Sequence, residues 1–354
     1  MFGVAVGDAL GATVEFLVKE EIQRRHGRLR DIIGGGWLRL KPGEWTDDTE
    51  MTLAVAKGIL INPHNPLEHI GRNFLYYANK DHPAMGLTTR AVISNYRKLK
   101  NWYKAAEVLH KKERLTAGNG ALMRTLPVAF MYKDPADIFM MSMAIARMTH
   151  WDPEAGLTCC LYCLLAREFI SGTTNRVVAW EKTKDLFLEV VPVKFLSIAK
   201  KLVLDKLFNI INLRYDQLKP GGYNVDSLEC ALSCFLREES FEDAVVSAVN
   251  LGGDADTIGI IYCAGCPTLG APKKILKRVK SLASFRVDAI HLSYCMTAVC
   301  PFINKYIKVI KEVYPEIEIV EGTHKPRDKA TFQTEVRKLL CIENRDMTDL
   351  ILSR

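Results

Sequence analysis

Apolar residues return every three or four positions along most of the chain. Met51, Leu53, Ala54, Ala56, Ile59 and Leu60 form one such run, Ile138, Met141, Ile145 and Met148 a second, and Leu228, Ala231, Leu232 and Phe235 a third. This is the period of a helix with one face turned to a core, and hardly any stretch alternates in the period of two that marks a strand. Asp134 before Pro135, Asp152 before Pro153, and Asp226 before Ser227 each place a side-chain acceptor ahead of an apolar repeat, which predicts helix starts. The pattern amounts to about a dozen helices. Breaks fall at Gly34 to Gly36, at Pro42 and Gly43, at Gly118 and Gly120, at Gly221 and Gly222, and at Gly252 and Gly253. They are too evenly spread to mark a single boundary, and most lead into a helix. The expectation is one all-α, multi-helix domain over residues 1–300 whose joints face a common cleft. After Phe302 the charge density rises, so 301–354 reads as an appended, partly helical extension, and no internal repeat is visible.

Composition narrows the classes. Of 354 residues 48% are hydrophobic and 25% charged, which supplies a substantial core and excludes a disordered, collagen-like or coiled-coil chain. The longest apolar stretches, Leu157 to Ala166 and Ile258 to Ala264, fall short of the roughly 18 to 20 residues of a membrane span, so no bilayer crossing is expected. The opening MFGVAVGDALGATVEF lacks a basic lead and a cleavage site and carries Asp8, which points to a cytoplasmic protein. Most of the ten cysteines, among them Cys159, Cys160, Cys163, Cys230, Cys234, Cys295 and Cys300, lie in helical apolar surroundings and read as reduced core thiols. Two C-x-x-C pairs, Cys160 with Cys163 and Cys263 with Cys266, lack the loop of a zinc knuckle and are read the same way. The net charge of +7 includes basic clusters at Lys273, Lys274, Lys277, Arg278 and Lys280 and from Arg97 to Arg114. Such stripes are usually solvated helix faces, and nucleic acid is not an expected partner.

Candidate chemistry concentrates in two segments. GEWTDDTEM carries Thr46, Asp47, Asp48 and Thr49 at a helix start, and LGGDADTIG carries Asp254, Asp256 and Thr257 after two glycines at another. Each could be a helix cap, but capping needs one acceptor and these segments hold an excess of mutually repelling carboxylates. If the two starts face each other, four carboxylates and two hydroxyls converge. That all-oxygen set suits Mg²⁺ or Mn²⁺, and its charge suits two ions roughly 3.5 to 4 Å apart. In GDALGATVEF, Asp8 and Glu15 are seven positions apart, which predicts one shared face of the first helix. Asp8 reads as a structural cap or salt-bridge partner, Glu15 as functional. GNGALMR offers either an ordinary Asn-Gly turn or a glycine loop, just before a helix, whose N–H groups could face a phosphate.

The segments GVAVGDALGATVEF, GGGWLRLKPGEWTDDTEM, AMGLTTR, AGNGALMRTLPVA, THWDPEA, GGYNVDSLECAL and NLGGDADTIG resemble, in order, those of the ADP-ribosylglycohydrolases, in particular the dinitrogenase reductase-activating glycohydrolase branch. The resemblance implies an all-α fold, a cleft holding two Mg²⁺ or Mn²⁺ ions, and hydrolysis of the bond joining ADP-ribose to a modified target. It puts Thr46, Asp47, Asp48, Asp254, Asp256 and Thr257 on the metal ligands and Glu15 on an acid beside them, with Glu15, Asp47 and Asp256 as the catalytic set. It further implies a pyrophosphate cradle of Thr116, Gly118, Asn119 and Gly120, a phosphate or ribose contact from His150, and Gly86 on the ribose side. Tyr223 is a candidate for stacking on adenine, with a packed loop tyrosine as the alternative. The sequence departs from the family at Thr116, where related members often carry an acid, at Tyr262 and Cys266, where smaller residues are usual, and in a turn missing upstream of Gly7. The implied reaction is removal of ADP-ribose from a protein side chain, most simply an arginine, by a monomeric enzyme. The rivals are a silent ADP-ribose-binding module, a hydrolase for another target (serine, a nucleic-acid base, a small guanidine), and a phosphohydrolase. The last leaves GNGALMR and GGYNVDSLE unexplained.

Overall fold

The computed structural model describes residues 2–80, 83–114, 116–173, 175–238, 240–262, 279, 289–292 and 303–321. Packing divides the chain into two compact units, Met1–Leu269 and Gly270–Arg354, with the division upstream of the expected border at 300/301.

The first unit is all-α. Its helices are α1 (Phe2–Gly11), α2 (Lys19–His26), α3 (Asp47–Ile61), α4 (Leu67–Ala78), α5 (Leu87–Leu99), α6 (Trp102–Glu113), α7 (Pro127–Met131), α8 (Pro135–Arg147), α9 (Pro153–Ile170), α10 (Arg176–Val190), α11 (Val193–Lys200), a π-helical turn Lys201–Lys206, α12 (Asn224–Arg237), α13 (Phe241–Val249) and α14 (Ala255–Tyr262). α9 is apolar nearly all round and is buried accordingly, packed by α7, α8, α10 and α12. Cys159, Cys160 and Cys163 on α9 and Cys230 and Cys234 on α12 are buried free thiols, and burial raises each well above the ordinary range, Cys163 to about 12. Cys263, Cys266, Cys295 and Cys300, and the basic cluster from Lys273 to Lys280, lie outside the described residues. The basic run from Arg97 to Arg114 is an exposed face of α5 and α6, where Glu107 pairs with Lys104 and Lys111. No helix among the described residues is long and apolar enough to cross a membrane.

Asp134 and Asp152 cap α8 and α9 by accepting first-turn N–H groups, each ahead of a proline. Asp226 does not cap α12. That helix starts at Asn224, whose N–H donates to the Ala117 carbonyl at 3.1 Å, and this long-range bond fixes the start three residues earlier and leaves Asp226 in the first turn.

The crossing of α1 and α14 sets the geometry of everything functional. A Cβ at Gly7 would stand 2.3 Å from the Gly259 carbonyl oxygen, and one at Gly11 2.4 Å from that of Ala255, so the two backbones touch and only glycine fits. The turn after α1 is stitched to the loop before α14: Phe16 N–H donates to Gly253 at 2.7 Å, and Gly253 N–H to Leu17 at 2.8 Å. Gly253 has a φ of 64° and no room for a side chain against Pro220.

In the second unit, β1 (Ala289–Leu292) and β2 (Glu318–Glu321) pair in parallel, Ala289 opposite Glu318 through Leu292 opposite Glu321, with α15 (Ile303–Val313) between them in sequence. Val279, Ile310 and Ile317 are its buried apolar centre. The strand pair was not expected, because four-residue strands leave too short an alternation to read.

Candidate active site

The starts of α3 and α14 interlock. Thr46 caps α3, its hydroxyl accepting from Asp48 N–H and donating to Asp256 Oδ2, both at 3.2 Å. In return Thr257 donates its hydroxyl to Asp48 Oδ2 at 2.7 Å and its N–H to Asp256 Oδ1 at 2.9 Å. Asp47 accepts from the backbone N–H of Gly86, the residue before α5. Beneath them Asp8, fully buried on α1, accepts from Thr46 N–H at 3.0 Å, Thr49 N–H at 3.0 Å and the Thr49 hydroxyl at 2.6 Å. Its role is therefore to cap α3 from a neighbouring helix.

Glu15 is not on a helix face shared with Asp8. α1 ends at Gly11 because of the α14 crossing, and Glu15 sits in the following turn, whose last residue, Phe16, has a φ of 65°. That turn brings Glu15 to α14: carboxylate oxygens of Glu15, Asp254 and Asp256 lie within 4.8 Å of one another. Trp37 donates its indole N–H to Glu15 Oε2 at 2.7 Å.

Among the described residues, none of these carboxylates forms an ion pair with a lysine or arginine. Burial pushes Glu15 up to about 8, with the charges of Asp254, Asp47 and Asp8 adding to it and the Trp37 bond opposing it. Burial and then the charge of Asp8 lift Asp47 to about 7. Asp48 and Asp256 stand well above the carboxylate range, chiefly through burial and next through the charge of Asp47 on the first and of Asp48 on the second. Buried like charges without counter-charge are what a cation relieves, and the donors are all hard oxygens, so the residues present fit Mg²⁺ or Mn²⁺.

The opposite wall is built from two loops paired edge to edge. Gly118 forms an antiparallel bridge with Tyr223, and Asn119 N–H donates to the Gly222 carbonyl at 3.0 Å. The Asn119 N–H is thus consumed. Nor does a helix follow directly: the chain makes a turn over 119–124, and α7 starts only at Pro127. The Asn119 side chain instead links the loop to the carboxylates, donating to Asp254 Oδ2 and to the Ser227 hydroxyl, each at 2.8 Å. Thr116 is buried with its hydroxyl 2.6 Å from His110 Nδ1, on α6. His150 is buried against the glycines of the loop and neutral, burial and Arg124 lowering it to about 3. The Tyr223 hydroxyl is held between Glu154 and Lys206, which pair with each other at 2.7 Å. Sequence reasoning missed Trp37, Arg124, Glu154, Lys206 and Ser227. Four of them stood inside quoted motifs, and Lys206, brought in by the π-helical turn, carried no local signal.

An all-α unit with an all-oxygen carboxylate cleft facing a glycine loop is the architecture of a known hydrolase class. Residues 1–271 match the ADP-ribosylglycohydrolase family model, and the chain belongs to that family. It is 32% identical over 262 residues to the ADP-ribosyl-(dinitrogen reductase) glycohydrolase of Rhodospirillum rubrum, covering 73% of this chain and 80% of that one. It is 30% identical over 266 residues to the ADP-ribosylarginine hydrolase Tri1 of Serratia proteamaculans, covering 73% and 67%. A solved ADP-ribosylglycohydrolase-related protein complex superposes with a TM-score of 0.59 at 30% identity, covering 76% of this chain and 84% of that one. A second model, the CGGC domain, matches residues 226–324 and overlaps the first.

Proposed function

We propose that the protein is a metal-dependent hydrolase that cleaves ADP-ribose from the guanidino nitrogen of a modified arginine and releases free ADP-ribose. The observation that carries this is the convergence of Glu15, Asp254 and Asp256 oxygens beside the interlocked Thr46–Asp48 and Asp256–Thr257 pairs. The name of the Serratia relative supports the arginine target, and that of the Rhodospirillum relative supports a protein substrate.

Thr46, Asp47, Asp48, Asp254, Asp256 and Thr257 would hold two divalent ions, Mg²⁺ or Mn²⁺, which when bound would supply Lewis-acid polarisation of water and of the ribose hydroxyls. Glu15 takes a proton from the attacking water on Oε1, because Trp37 occupies Oε2, and that proton goes on to the departing guanidino nitrogen as the C–N bond breaks and the C–O bond forms. Cleavage builds positive charge at the anomeric carbon, which the surrounding carboxylates stabilise. Gly118, Asn119, Gly120 and His150 receive the pyrophosphate, Gly86 borders the ribose, and Tyr223 offers its ring to the adenine. Thr116 supports this wall through His110. The enzyme acts as a cytoplasmic monomer on ADP-ribosylated protein.

The deciding experiment incubates the protein with an ADP-ribosylated arginine protein, an ADP-ribosylated serine peptide and ADP-ribosylated DNA, with Mn²⁺ or Mg²⁺. Free ADP-ribose from the arginine substrate supports the reading. AMP as product would mean a phosphohydrolase, and binding without turnover a silent module.

A further inference from the structure

Arg124 is fully buried, yet among the described residues it pairs with no carboxylate. Nη1 donates to the Gly120 carbonyl at 2.8 Å, Nη2 to Thr149 Oγ1 at 2.5 Å, and the guanidinium lies 4.8 Å from the Phe74 ring centre. Nε has no partner. Burying a permanent cation on neutral partners is costly, and burial pulls even this guanidinium down to about 10. Packing alone would be better served by an apolar side chain of that volume.

The hydrogen-bond chemistry shows what the charge does there. A guanidinium can only donate, so Thr149 Oγ1 accepts from Arg124. The hydroxyl has one proton to give, and among the described residues its only other partner is His150 Nδ1, at 2.8 Å. Were the imidazole to donate through Nδ1 instead, the buried hydroxyl proton would have no acceptor. Nδ1 therefore accepts, and the neutral ring carries its proton on Nε2. That nitrogen faces the glycine loop: a Cβ at Gly118 would lie 3.4 Å from it, and one at Gly120 3.3 Å.

We infer that Arg124 is a positioning residue which, through Thr149, fixes His150 as the Nε2–H tautomer, so that the Gly118–Gly120 loop presents a neutral N–H donor to an anionic ligand. The inference rests on the reading of that loop as a pyrophosphate cradle. The same guanidinium grips the Gly120 carbonyl, so one buried cation orients both halves of the cradle. A neutral donor suits the place, because an imidazolium would stand against Arg124 with like charge.

The test is a long-range ¹H–¹⁵N correlation spectrum of the full chain labelled with ¹⁵N-histidine, the His150 signals being assigned by comparison with His150→Gln. The wild type at pH 7 should show the Nε2–H pattern for His150. Thr149→Ser should keep it, and Thr149→Val, which keeps the volume, should lose it and weaken ADP binding about tenfold with Mn²⁺ affinity unchanged. Arg124→Met should blur the tautomer in the same way. An Nδ1–H or doubly protonated His150 in the wild type overturns the inference without any variant, and so does an unchanged tautomer in folded Thr149→Val. If the Nε2–H pattern is present but ADP does not bind the wild type, the pyrophosphate reading fails and the relay stands.

Discussion

Removing one charge from the carboxylate cluster should stabilise the metal-free protein while abolishing its chemistry, and Asp256→Asn is the cleanest case. Asparagine keeps the shape: one oxygen still accepts from Thr257 N–H, and the amide NH₂ replaces Oδ2 against Thr46 Oγ1, which can accept. The repulsion removed is large, because oxygens of Glu15 and Asp254 lie within 4.8 Å of Asp256. A fully ionised pair at about 5 Å in an effective dielectric near 20 costs about 3 kcal/mol. With Glu15 near 8 and Asp47 near 7, the cluster already sheds part of its charge at neutral pH, which reduces the relief to about 1–3 kcal/mol. For a unit of this size that converts to a rise of about 2–5 °C in melting temperature. The sign with pH follows from the direction of the shifts. Folded values raised above the unfolded ones mean that ionisation costs nothing below about pH 4 and progressively more as pH climbs to the folded values. The advantage of the variant should therefore be small near pH 4 to 5 and greatest near pH 8. Thermal melts in chelator at both pH values, repeated with Mn²⁺, measure it; the wild type should gain stability from Mn²⁺ by mass action and the variant much less. A variant that melts below the wild type in chelator at pH 8 would refute the electrostatic reasoning. Near-normal turnover at saturating metal would remove Asp256 from the proposed ligands.

Glu15→Gln should lower kcat by about 10²- to 10⁴-fold and leave product inhibition by ADP-ribose nearly unchanged; lost inhibition at normal kcat would make Glu15 a binding residue. Tyr223→Ala should raise the ADP-ribose inhibition constant by roughly five- to a hundredfold, whereas Tyr223→Phe, which keeps the ring and loses Glu154 and Lys206, should change it by less than about tenfold. Equal effects of the two would shift the role from the ring to the hydroxyl. Gly259→Ala places a Cβ 2.6 Å from the Gly7 carbonyl oxygen and should cost about 1–3 kcal/mol together with Mn²⁺ affinity, read by melting and by Mn²⁺ titration; normal values in both would show that the α1–α14 spacing does not set the cluster.

What was legible in the sequence is what local physics writes there. The helices of the first unit follow from the apolar period, and Thr46, Asp134 and Asp152 announce helix starts because a cap meets its donor two or three residues on. Glu15 was misplaced because seven residues look like two helical turns, while α1 is in fact ended by Gly11 against Ala255 and by Gly253 against Phe16, partners more than 200 positions away. The Asn119 N–H looked free because its acceptor, Gly222, is likewise distant. Arg124 was invisible for the same reason: nothing in GNGALMR says that its guanidinium will reach Thr149.

The carboxylates show how structure separates roles that sequence leaves alike. Asp8 and Asp48 are both buried aspartates near a helix start, and composition cannot rank them. Asp8 receives three donors from Thr46 and Thr49, which oppose the upward push of burial on its carboxyl, and a cation could approach only by displacing them. Asp48 receives one side-chain donor, from Thr257, Asp254 one, from Asn119, and Glu15 one, from Trp37, so each keeps an oxygen with no protein donor among the described residues. Oxygens without a protein donor, set among other carboxylates, are open to water or to a cation. Counting donors therefore assigns Asp8 to the scaffold and points Glu15, Asp48 and Asp254 at a bound ligand, a distinction open to test because Asp8→Asn should cost stability with or without Mn²⁺, whereas Asp48→Asn should cost it only when Mn²⁺ is present.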